Sequence, residues 1–452
     1  MMLIVYVVMC ATVVWGACSD EGSSDDTPSD TGSMTSNTTS DAGTDEPDGA
    51  ADTAMAGEDT DMDGGGEPFV YAAGAPFDYC NDQPPDAACY QSKRDPNSAT
   101  MQLARAIGDA VLERDPTELR WDWGEAAMMI GLWNLALATG EERYLDFIQA
   151  WMDHHIGRGY SISTSDTCAS AALAIALLED GRSAETYTPV VEDALSYLRE
   201  DALRVSNGGL SHFGTLTVFG IELWADSLFM FGNVFTRWGE LEGEQEALDE
   251  YTFQYEAFAE LMQDADSGFF IHAAESQFEQ ESDVYWARAN GWIVGAGYDH
   301  LRVRRNLEQP LPEMARIARE QVAGVIDTQD PDTGLWWTVI NRPGETYLET
   351  SASALFIYGM ARGWRYGYLG DEVLPAIALG LQGVTSRILD ADGNPFDPAQ
   401  SMGAPVVTGT SQPTSVGTFD YYANIMVEDD IPYGIGAVLL ALTESSGLPL
   451  SE

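Results

Sequence analysis

The stretch Gly220-Ile-Glu-Leu-Trp-Ala-Asp-Ser-Leu-Phe-Met230 lies in the middle of the chain. Trp224, Leu228 and Phe231 recur at the spacing of one helical face, which predicts that a helix begins here. Asp226 lies among these large apolar side chains, and burying a carboxylate costs free energy unless it is paired, hydrogen-bonded or protonated. Asp226 is therefore either a first-turn residue that interacts with the helix dipole or part of a functional site.

Helical patterns continue on both sides of this stretch, separated by loops that contain Gly or Asp. Strand-like alternation is confined to short pieces such as Gly268–His272 and Leu335–Ile340. The twelve candidate helices lie near 97–114, 124–140, 142–156, 168–180, 187–203, 223–239, 244–263, 286–306, 310–327, 349–368, 371–388 and 431–446.

The helix pairs recur every roughly 40–55 residues, which is typical of a solenoid or of a closed ring. Several helices are apolar on two faces, and this favours an inner ring of buried helices over an open array with one wet face. We therefore predict an all-α fold, an (α/α)6 barrel (a six-hairpin toroid) with its ligand cleft at one end of the inner ring. A TPR-like superhelix is the alternative, but its 34-residue period does not fit.

The composition is extremely acidic, with 73 Asp and Glu against 21 Lys and Arg and a net charge of −52. Fifteen of the acidic residues lie in 18–68, so the excess is not confined to that segment. Such a surface repels nucleic acid and anionic lipid, and we expect no nucleic-acid partner. It also suggests a protein kept soluble in a salty medium, where ions screen the repulsion between carboxylates.

The first residues predict export. Met1 to Ala17 is almost wholly apolar and is typical of a secretory signal. Trp15-Gly-Ala-Cys18 resembles a bacterial lipobox, in which Cys18 would be lipidated and become the mature N-terminus. We expect an outer-membrane or periplasmic lipoprotein that meets the membrane only through this N-terminal anchor; a plain secreted protein is the alternative.

The remaining chain divides by composition. Residues 18–68 have almost no large apolar side chains, so we expect an acidic, disordered tether. We expect residues 69–96 to form an irregular lead-in and 97–452 to form the (α/α)6 domain. Within the lead-in, Cys80 and Cys89 are plausible partners in a local disulfide, since export places them in an oxidising compartment. Cys168 is expected to be a buried thiol, and without a Cys-x-x-Cys pattern we expect no metal site.

Four motifs occur along the helical region at turn-to-helix junctions, where functional side chains often lie. They are Trp224–Met230, Gly268–His272, Trp286–Trp292 and Glu349–Ala354. With these motifs the chain, over about residues 97–446, resembles the unsaturated glycuronyl hydrolases of glycoside hydrolase families 88 and 105. The Arg-x-Asn-Gly-Trp form is more similar to family 105, the unsaturated rhamnogalacturonyl hydrolases, although Ala289 stands where the family usually has Gly.

The resemblance implies an (α/α)6 barrel that removes a 4,5-unsaturated uronic acid from the non-reducing end of an oligosaccharide left by a polysaccharide lyase. It implies no metal or cofactor. An acid protonates C4 of the double bond, positive charge develops at C5, and water adds there. The resulting hemiketal opens and releases the sugar.

The resemblance also implies roles for individual residues. Asp226 is the catalytic acid and base, and Asp166 is the second carboxylate; its other interpretation is a cap of the helix near 168. Burial beside Trp224 and Met230 would raise the pKa of Asp226, with Asp166 as its anionic partner. The implied substrate contacts are Trp224, Trp286 and Trp292, with Trp121 or Trp123, as aromatic walls; Met230 beside them; His212 and His272 as polar contacts; and Arg288 near the uronate.

Some of these residues have other readings. Arg288 could form a bidentate contact with the uronate or a salt bridge to an acidic neighbour. Trp286 and Trp292 are six residues apart, so we expect one to line the cleft and the other to pack in the core. Two other functions stay open at this point. One is an ordinary two-carboxylate glycosidase of the same fold, and the other is a non-catalytic surface glycan-binding lipoprotein.

Overall fold

The computed structural model describes residues 93–215 and 220–450. The predicted signal sequence, the tether, Cys18 with its lipid, the Cys80–Cys89 pair and most of the lead-in lie outside these residues. Cys168 is a buried free thiol, as predicted. No helix of the described part is long and apolar enough to cross a membrane.

Helices dominate the described chain, and all twelve predicted helical regions contain helix. A π-helical turn, Tyr197–Asp201, extends the sixth helix, and a 3-10 turn, Asp371–Val373, precedes the thirteenth. In chain order the helices are α1 (Ala99–Leu112), α2 (Trp123–Thr139), α3 (Glu142–Arg158), α4 (Ser165–Cys168), α5 (Ala171–Glu179), α6 (Ala184–Ser196), α7 (Ser227–Met230), α8 (Gly232–Glu242), α9 (Gln245–Met262), α10 (Ala287–Asn306), α11 (Pro312–Asp327), α12 (Thr350–Arg365), α13 (Leu374–Thr385), α14 (Phe419–Ala423) and α15 (Pro432–Ser445).

Six of these helices form a closed inner ring. Going round it, α2 packs on α5, α5 on α8, α8 on α10, α10 on α12 and α12 on α15, and α15 packs back on α2. Glycines let the ends of the ring meet, since a Cβ on Gly131 of α2 would lie 2.8 Å from the carbonyl oxygen of Gly436 in α15. The closing contact confirms the (α/α)6 barrel over an open superhelix.

Burial explains the wide apolar patterns of the sequence. Every residue of α12 is buried, and so is every residue of α15 after its first proline. The outer helices α1 and α11 bury one stripe only and leave the rest in water. Inner helices covered on all sides need apolar residues on more than one face, as the sequence showed.

The opening stretch differs from the prediction. Leu223–Trp224 is a short strand, β1, that pairs antiparallel with β2, Ala273–Ala274. The chain then turns, and helix resumes only at α7. The predicted helix over 223–239 is therefore wrong at its start, because Trp224 pairs with a strand about fifty residues away. Asp226 is left at the turn between β1 and α7.

Three further two-stranded antiparallel pairs complete the described structure. The predicted strand at Leu335–Ile340 is present as β3 (Trp336–Trp337), which pairs with β4 (Leu348–Glu349). The predicted strand at Gly268–His272 is reduced to a single bridge between Gln263 and Phe270. The segment 388–431, for which the sequence suggested no element, holds β5 (Ile388–Leu389) with β6 (Val406–Val407), and β7 (Thr410–Ser411) with β8 (Val427–Glu428).

Buried charges collect towards the C-terminal ends of the inner helices. Glu240 and Asp299 pair there with Arg302, and Asp299 also pairs with Arg362. Glu444 of α15 lies 2.7 Å from Arg94, whose segment precedes α1. We call this set of paired side chains the charged layer. The N-terminal ends of the same helices carry the site described next.

Candidate active site

A cleft opens where the inner helices begin. It encloses about 420 Å³ together with its open mouth. Its walls contain most of the residues predicted from the sequence, together with two residues of the segment 388–431. The lining residues are Trp123, Asp166, His212, Trp224, Asp226, Met230, Trp286, Arg288, Trp292, Pro413 and Thr414.

Asp226 is held by the turn that links β1 to α7. Its backbone carbonyl accepts from the N–H groups of Phe229 and Met230, which fixes the residue at the start of the helix. Its Oδ2 lies 3.4 Å from Nε2 of His272. Its Oδ1 is buried and has no hydrogen-bond partner among the described residues. One oxygen of Asp226 thus contacts His272, and the other is buried without a partner among the described residues.

Asp166 lies in α4, but it does not cap that helix. The cap is Thr164, whose hydroxyl accepts from the N–H of Thr167, so the capping interpretation of Asp166 is wrong. Burial, together with the negative charges of Asp122 and Asp226, raises the pKa of Asp166 well above its usual range. This direction is opposite to the predicted role of Asp166 as an anionic partner: in the ligand-free protein this carboxyl tends to keep its proton.

His212 connects Asp166 to the aromatic wall. Its ring stacks on Trp224 with centroids 4.5 Å apart, and its Nε2 lies 3.7 Å from Oδ2 of Asp166. Its Nδ1 contacts the hydroxyls of Ser165 and Ser227 at 2.8 Å and 3.0 Å. Burial lowers the pKa of His212 to about 4, so the ring is neutral at physiological pH. It can offer a sugar hydroxyl a hydrogen bond but no charge.

His272 lies behind Asp226 and is 1% exposed. Its ring packs on Trp286, with centroids 4.4 Å apart. Its Nδ1 lies 2.9 Å from Oη of Tyr422. His272 therefore supports Asp226 from behind instead of lining the cleft, which changes its predicted role as a substrate contact.

The tryptophan walls differ in two ways from the prediction. Both Trp286 and Trp292 line the cleft, because Trp286 is extended at the N-cap of α10 and is not on the helix face. Of the two candidates on the first hairpin, Trp123 lines the cleft and stacks on Tyr433. Trp121 packs instead on Trp151 of α3, at 5.2 Å, and is not among the lining residues.

Trp224 is fixed by a buried carboxylate that the sequence analysis did not consider. Glu222 is fully buried and its Oε2 accepts from the Trp224 indole N–H at 3.0 Å. Glu222 also accepts from the hydroxyl of Ser276 and the N–H of Gln277. The spacing of Glu222 and Trp224, two apart on a strand, was the available signal, since such residues share a face.

Arg288 is buried between the rings of Trp286 and Tyr433, 4.5 Å and 4.7 Å from their centroids. Its terminal nitrogens donate to the carbonyls of Ser411 and Gln412 and to the hydroxyl of Thr414, at 2.9, 3.0 and 3.2 Å. The predicted salt bridge is only a 4.0 Å contact with Glu349. The guanidinium thus holds the loop at 411–414 against the cleft, and three of its four terminal N–H groups are engaged there.

The segment 388–431 supplies the site residues that sequence reasoning missed. Pro413 and Thr414 line the cleft, and Tyr422 reaches His272. These residues follow the last recognised motif by more than fifty positions and belong to no helical or strand pattern. The adjacent tyrosines at 421 and 422 were the only visible hint. Among the described residues, no group of His, Cys, Asp or Glu is arranged to hold a metal ion.

Comparison with known proteins matches this architecture. The unsaturated rhamnogalacturonyl hydrolase YesR of Bacillus subtilis is 26% identical over 256 residues, which span 55% of this chain and 73% of YesR. A possible GH105 member from Klebsiella pneumoniae has a similar structure, with a TM-score of 0.66 and 23% identity over 77% of this chain and 93% of that one. The unsaturated glucuronyl hydrolase of Bacillus sp. GL1 has a TM-score of 0.57 and 15% identity over 76% and 95%.

The two solved structures, at these identities, show the shared fold alone. The family is shown by the sequence model of Glycosyl Hydrolase Family 88, which matches residues 99–448. That match contains every helix of the ring, from the start of α1 to the end of α15, and both cleft carboxyls. This chain belongs to Glycosyl Hydrolase Family 88.

Proposed function

We propose that this glycoside hydrolase removes a 4,5-unsaturated uronic acid from the non-reducing end of lyase-generated oligosaccharides by hydrating the vinyl ether double bond. Two relatives, YesR and the Bacillus sp. GL1 enzyme, are named for unsaturated rhamnogalacturonyl and glucuronyl groups. The observation that carries the proposal is the pair of carboxyls, Asp166 and Asp226, that meets histidines instead of arginines in one aromatic cleft.

Asp226 is suited to the proton transfers. In its protonated form Asp226 gives its proton to C4, and the electrons of the double bond form the new C4–H bond. Positive charge then develops on C5 and the ring oxygen. Water adds to C5 while the Asp226 carboxylate takes a proton from it, so the acid is restored. The hemiketal opens by breaking the bond between C5 and the ring oxygen, and the hemiacetal left at C1 releases the sugar.

Asp166 assists in its neutral form. With its raised pKa it keeps a proton, so it can donate a hydrogen bond to a sugar hydroxyl. A neutral Asp166 also places no second negative charge beside the carboxylate of the substrate. The tryptophans at 123, 224, 286 and 292 offer faces on which sugar rings can stack.

The test uses purified protein and a panel of lyase products, followed by the ultraviolet absorbance of the conjugated double bond. Loss of absorbance supports hydration. Binding with no loss of absorbance supports a glycan-binding protein, and activity only on saturated sugars supports an ordinary glycosidase. Asp226→Asn, which keeps the shape but cannot supply the proton, should lower kcat by about a thousandfold and still bind the sugar. Full activity of this variant would remove Asp226 from the mechanism.

We also propose that the protein is exported and anchored through Cys18, with an oligosaccharide as its only other partner. The apolar run up to Ala17 and the acidic segment after Cys18 support this proposal. Labelling cells with a palmitate analogue should mark the wild-type protein. Cys18→Ser should abolish the label, and equal labelling of both would contradict the anchor.

A further inference from the structure

Three side chains form a chain of contacts that ends at the proposed catalytic acid. Oη of Tyr422 lies 2.9 Å from Nδ1 of His272, and Nε2 of His272 lies 3.4 Å from Oδ2 of Asp226. Tyr422 and His272 are each 1% exposed. The ring of Tyr422 stacks on Trp286, nearly parallel to it at 8°. Water cannot replace either contact without moving these rings.

A backbone group favours one direction for these hydrogen bonds. The N–H of Gly417 donates to Oη of Tyr422 at 3.0 Å. Because that N–H occupies an acceptor position of Oη, the hydroxyl proton is free to point at Nδ1 of His272. A neutral imidazole that accepts at Nδ1 carries its own hydrogen on Nε2. That hydrogen faces Oδ2 of Asp226.

We propose that Tyr422 is a positioning residue for this reaction: it fixes His272 in the tautomer whose Nε2–H donates to Oδ2 of Asp226. The idea rests on the function proposed above. With the opposite tautomer, a lone pair of Nε2 would face Oδ2, and the carboxyl proton would be held in a hydrogen bond to Nε2 instead of being available to the sugar. A wrong histidine tautomer is costly where it has been examined in other hydrolases.

Tyr422 comes from a different part of the chain than His272 and Asp226. Tyr422 belongs to α14, in the segment between α13 and α15, whereas His272 and Asp226 both lie just beyond the Trp224–Ala273 end of the β1–β2 pairing. The same segment is held by Arg288 through Ser411 and Gln412. The segment 388–431 therefore supplies the residue that orients His272 towards Asp226, and it also lines the cleft.

The first experiment compares Tyr422→Phe with Tyr421→Phe. The control is closely matched, since Oη of Tyr421 also accepts a backbone N–H of this segment, from Ser415 at 3.1 Å, but is 41% exposed at the residue level and is not bonded to His272. Tyr422→Phe should lower kcat on a lyase product about tenfold and leave KM within about twofold. Tyr421→Phe should change neither. Equal losses in both variants, or an unchanged kcat in Tyr422→Phe, would overturn the proposal.

The second experiment separates positioning from packing. Gln in place of His272 offers an amide N–H to Asp226 that needs no tyrosine to orient it. In the His272→Gln background, Tyr422→Phe should therefore cause no further loss of kcat. A full tenfold loss in that background would show that the tyrosine acts by packing alone and would overturn the proposal.

A third measurement uses only the wild-type protein, so it does not depend on whether a variant folds. Nitrogen chemical shifts of labelled histidine in the wild-type protein should place the hydrogen of His272 on Nε2, and a hydrogen on Nδ1 would refute the assignment. The proposed function fails separately, if the wild-type protein leaves every unsaturated oligosaccharide intact. Wild-type activity with a normal Tyr422→Phe variant would refute only the role of Tyr422.

Discussion

Glu444, which is fully buried, and Asp166, which is partly buried, lie at opposite ends of the inner ring, and their surroundings differ completely. Glu444 lies 2.7 Å from Arg94, 3.1 Å from Arg365 and 3.4 Å from Arg362. Asp166 meets the ring of His212 at 3.7 Å, and the charges that reach it are those of other carboxylates, Asp122 and Asp226. Both carboxyls lose water on folding, Glu444 more than Asp166, and the neighbouring charges decide whether each keeps a proton.

The pKa directions follow from this difference. Burial by itself raises the pKa of Glu444, but the three arginines outweigh it and hold the pKa below its ordinary value. Asp299 behaves in the same way, with Arg362, Arg302 and Arg237 around it. Glu179 is an intermediate case, because burial outweighs its one strong partner, Arg237, and its pKa is raised. At Asp166 burial and the neighbouring charges act in the same direction. The charged layer stabilises the ionised forms of Glu444 and Asp299, and the cleft stabilises the protonated form of Asp166.

Removing the charge of Glu444 should have the largest effect on stability. Glu444→Gln leaves Arg94, Arg362 and Arg365 buried with less negative charge to offset them. Breaking a buried pair in this way costs about 3–5 kcal/mol of unfolding free energy, to be measured by urea denaturation. Glu320→Gln is the control, since Glu320 pairs with Arg316 on the surface and its loss should cost less than about 1 kcal/mol. Similar losses in both variants would contradict the contrast.

Arg288 is the arginine of the cleft, and replacing it tests whether it positions the loop at 411–414. Lysine cannot donate to Ser411, Gln412 and Thr414 in one fixed plane or stack as well between two rings, so Arg288→Lys should release the loop at 411–414. We expect kcat/KM to fall about tenfold, because a misplaced loop disturbs positioning in the cleft. The unfolding free energy should change far less than in Glu444→Gln. A loss of stability without a loss of activity would show that Arg288 belongs with the structural arginines.

Asp166→Asn should be stabilising at neutral pH. Burial and like charges disfavour the ionised carboxyl of Asp166 in the folded protein, and an asparagine amide carries no charge. The unfolding free energy should therefore rise by about 1 kcal/mol, while activity falls. Because the folded pKa of Asp166 is raised, its carboxyl costs stability only as the pH rises above the ordinary value of about 4. The advantage of the asparagine should therefore disappear near pH 4. An asparagine variant that is less stable at pH 7 would contradict this account of the cleft.

The charged layer should show the opposite pH dependence, as a smaller effect. The folded pKa values of Glu444 and Asp299 are lowered, so the stability that they contribute is present above about pH 4 and is lost as the pH falls through their folded values. The unfolding free energy of the wild-type protein should fall on acidification below pH 4. Glu444→Gln should show a shallower fall, measured by urea denaturation at each pH, and an equally steep fall would contradict the assignment.

Local patterns were enough to predict the ring but not everything within it. The twelve helices and their closure follow from periodicity, because each pattern reflects burial along its own helix. Trp224 was misplaced since its strand partner, Ala273, is distant in sequence, and helical spacing to Leu228 and Phe231 arises there without a helix. Tyr422 could not be foreseen, because its contact with His272 spans 150 positions.

The charged layer was within reach of the sequence and was overlooked. Arg237, Arg302 and Arg362 stand inside apolar helical patterns, where an isolated charge signals a buried partner. For Asp226, the spacing of residues left its role open, and the resemblance of four ordered motifs to a family decided it. Asp166 lies in none of these motifs, and its role stayed open between a catalytic carboxylate and a helix cap. The structure then corrected the protonation of Asp166, because that depends on Asp122 and Asp226 converging in space.

The central claim is that Asp226 protonates a carbon and not a glycosidic oxygen. The most direct measurement is a reaction with an unsaturated lyase product in deuterated water, followed by NMR of the uronate product. We predict that deuterium appears at C4 and that the double bond disappears at the rate at which the sugar is released. With Asp226→Asn, neither deuterium incorporation nor release of the sugar should be detected. Release of the sugar with the double bond intact and no deuterium at C4 would contradict the claim.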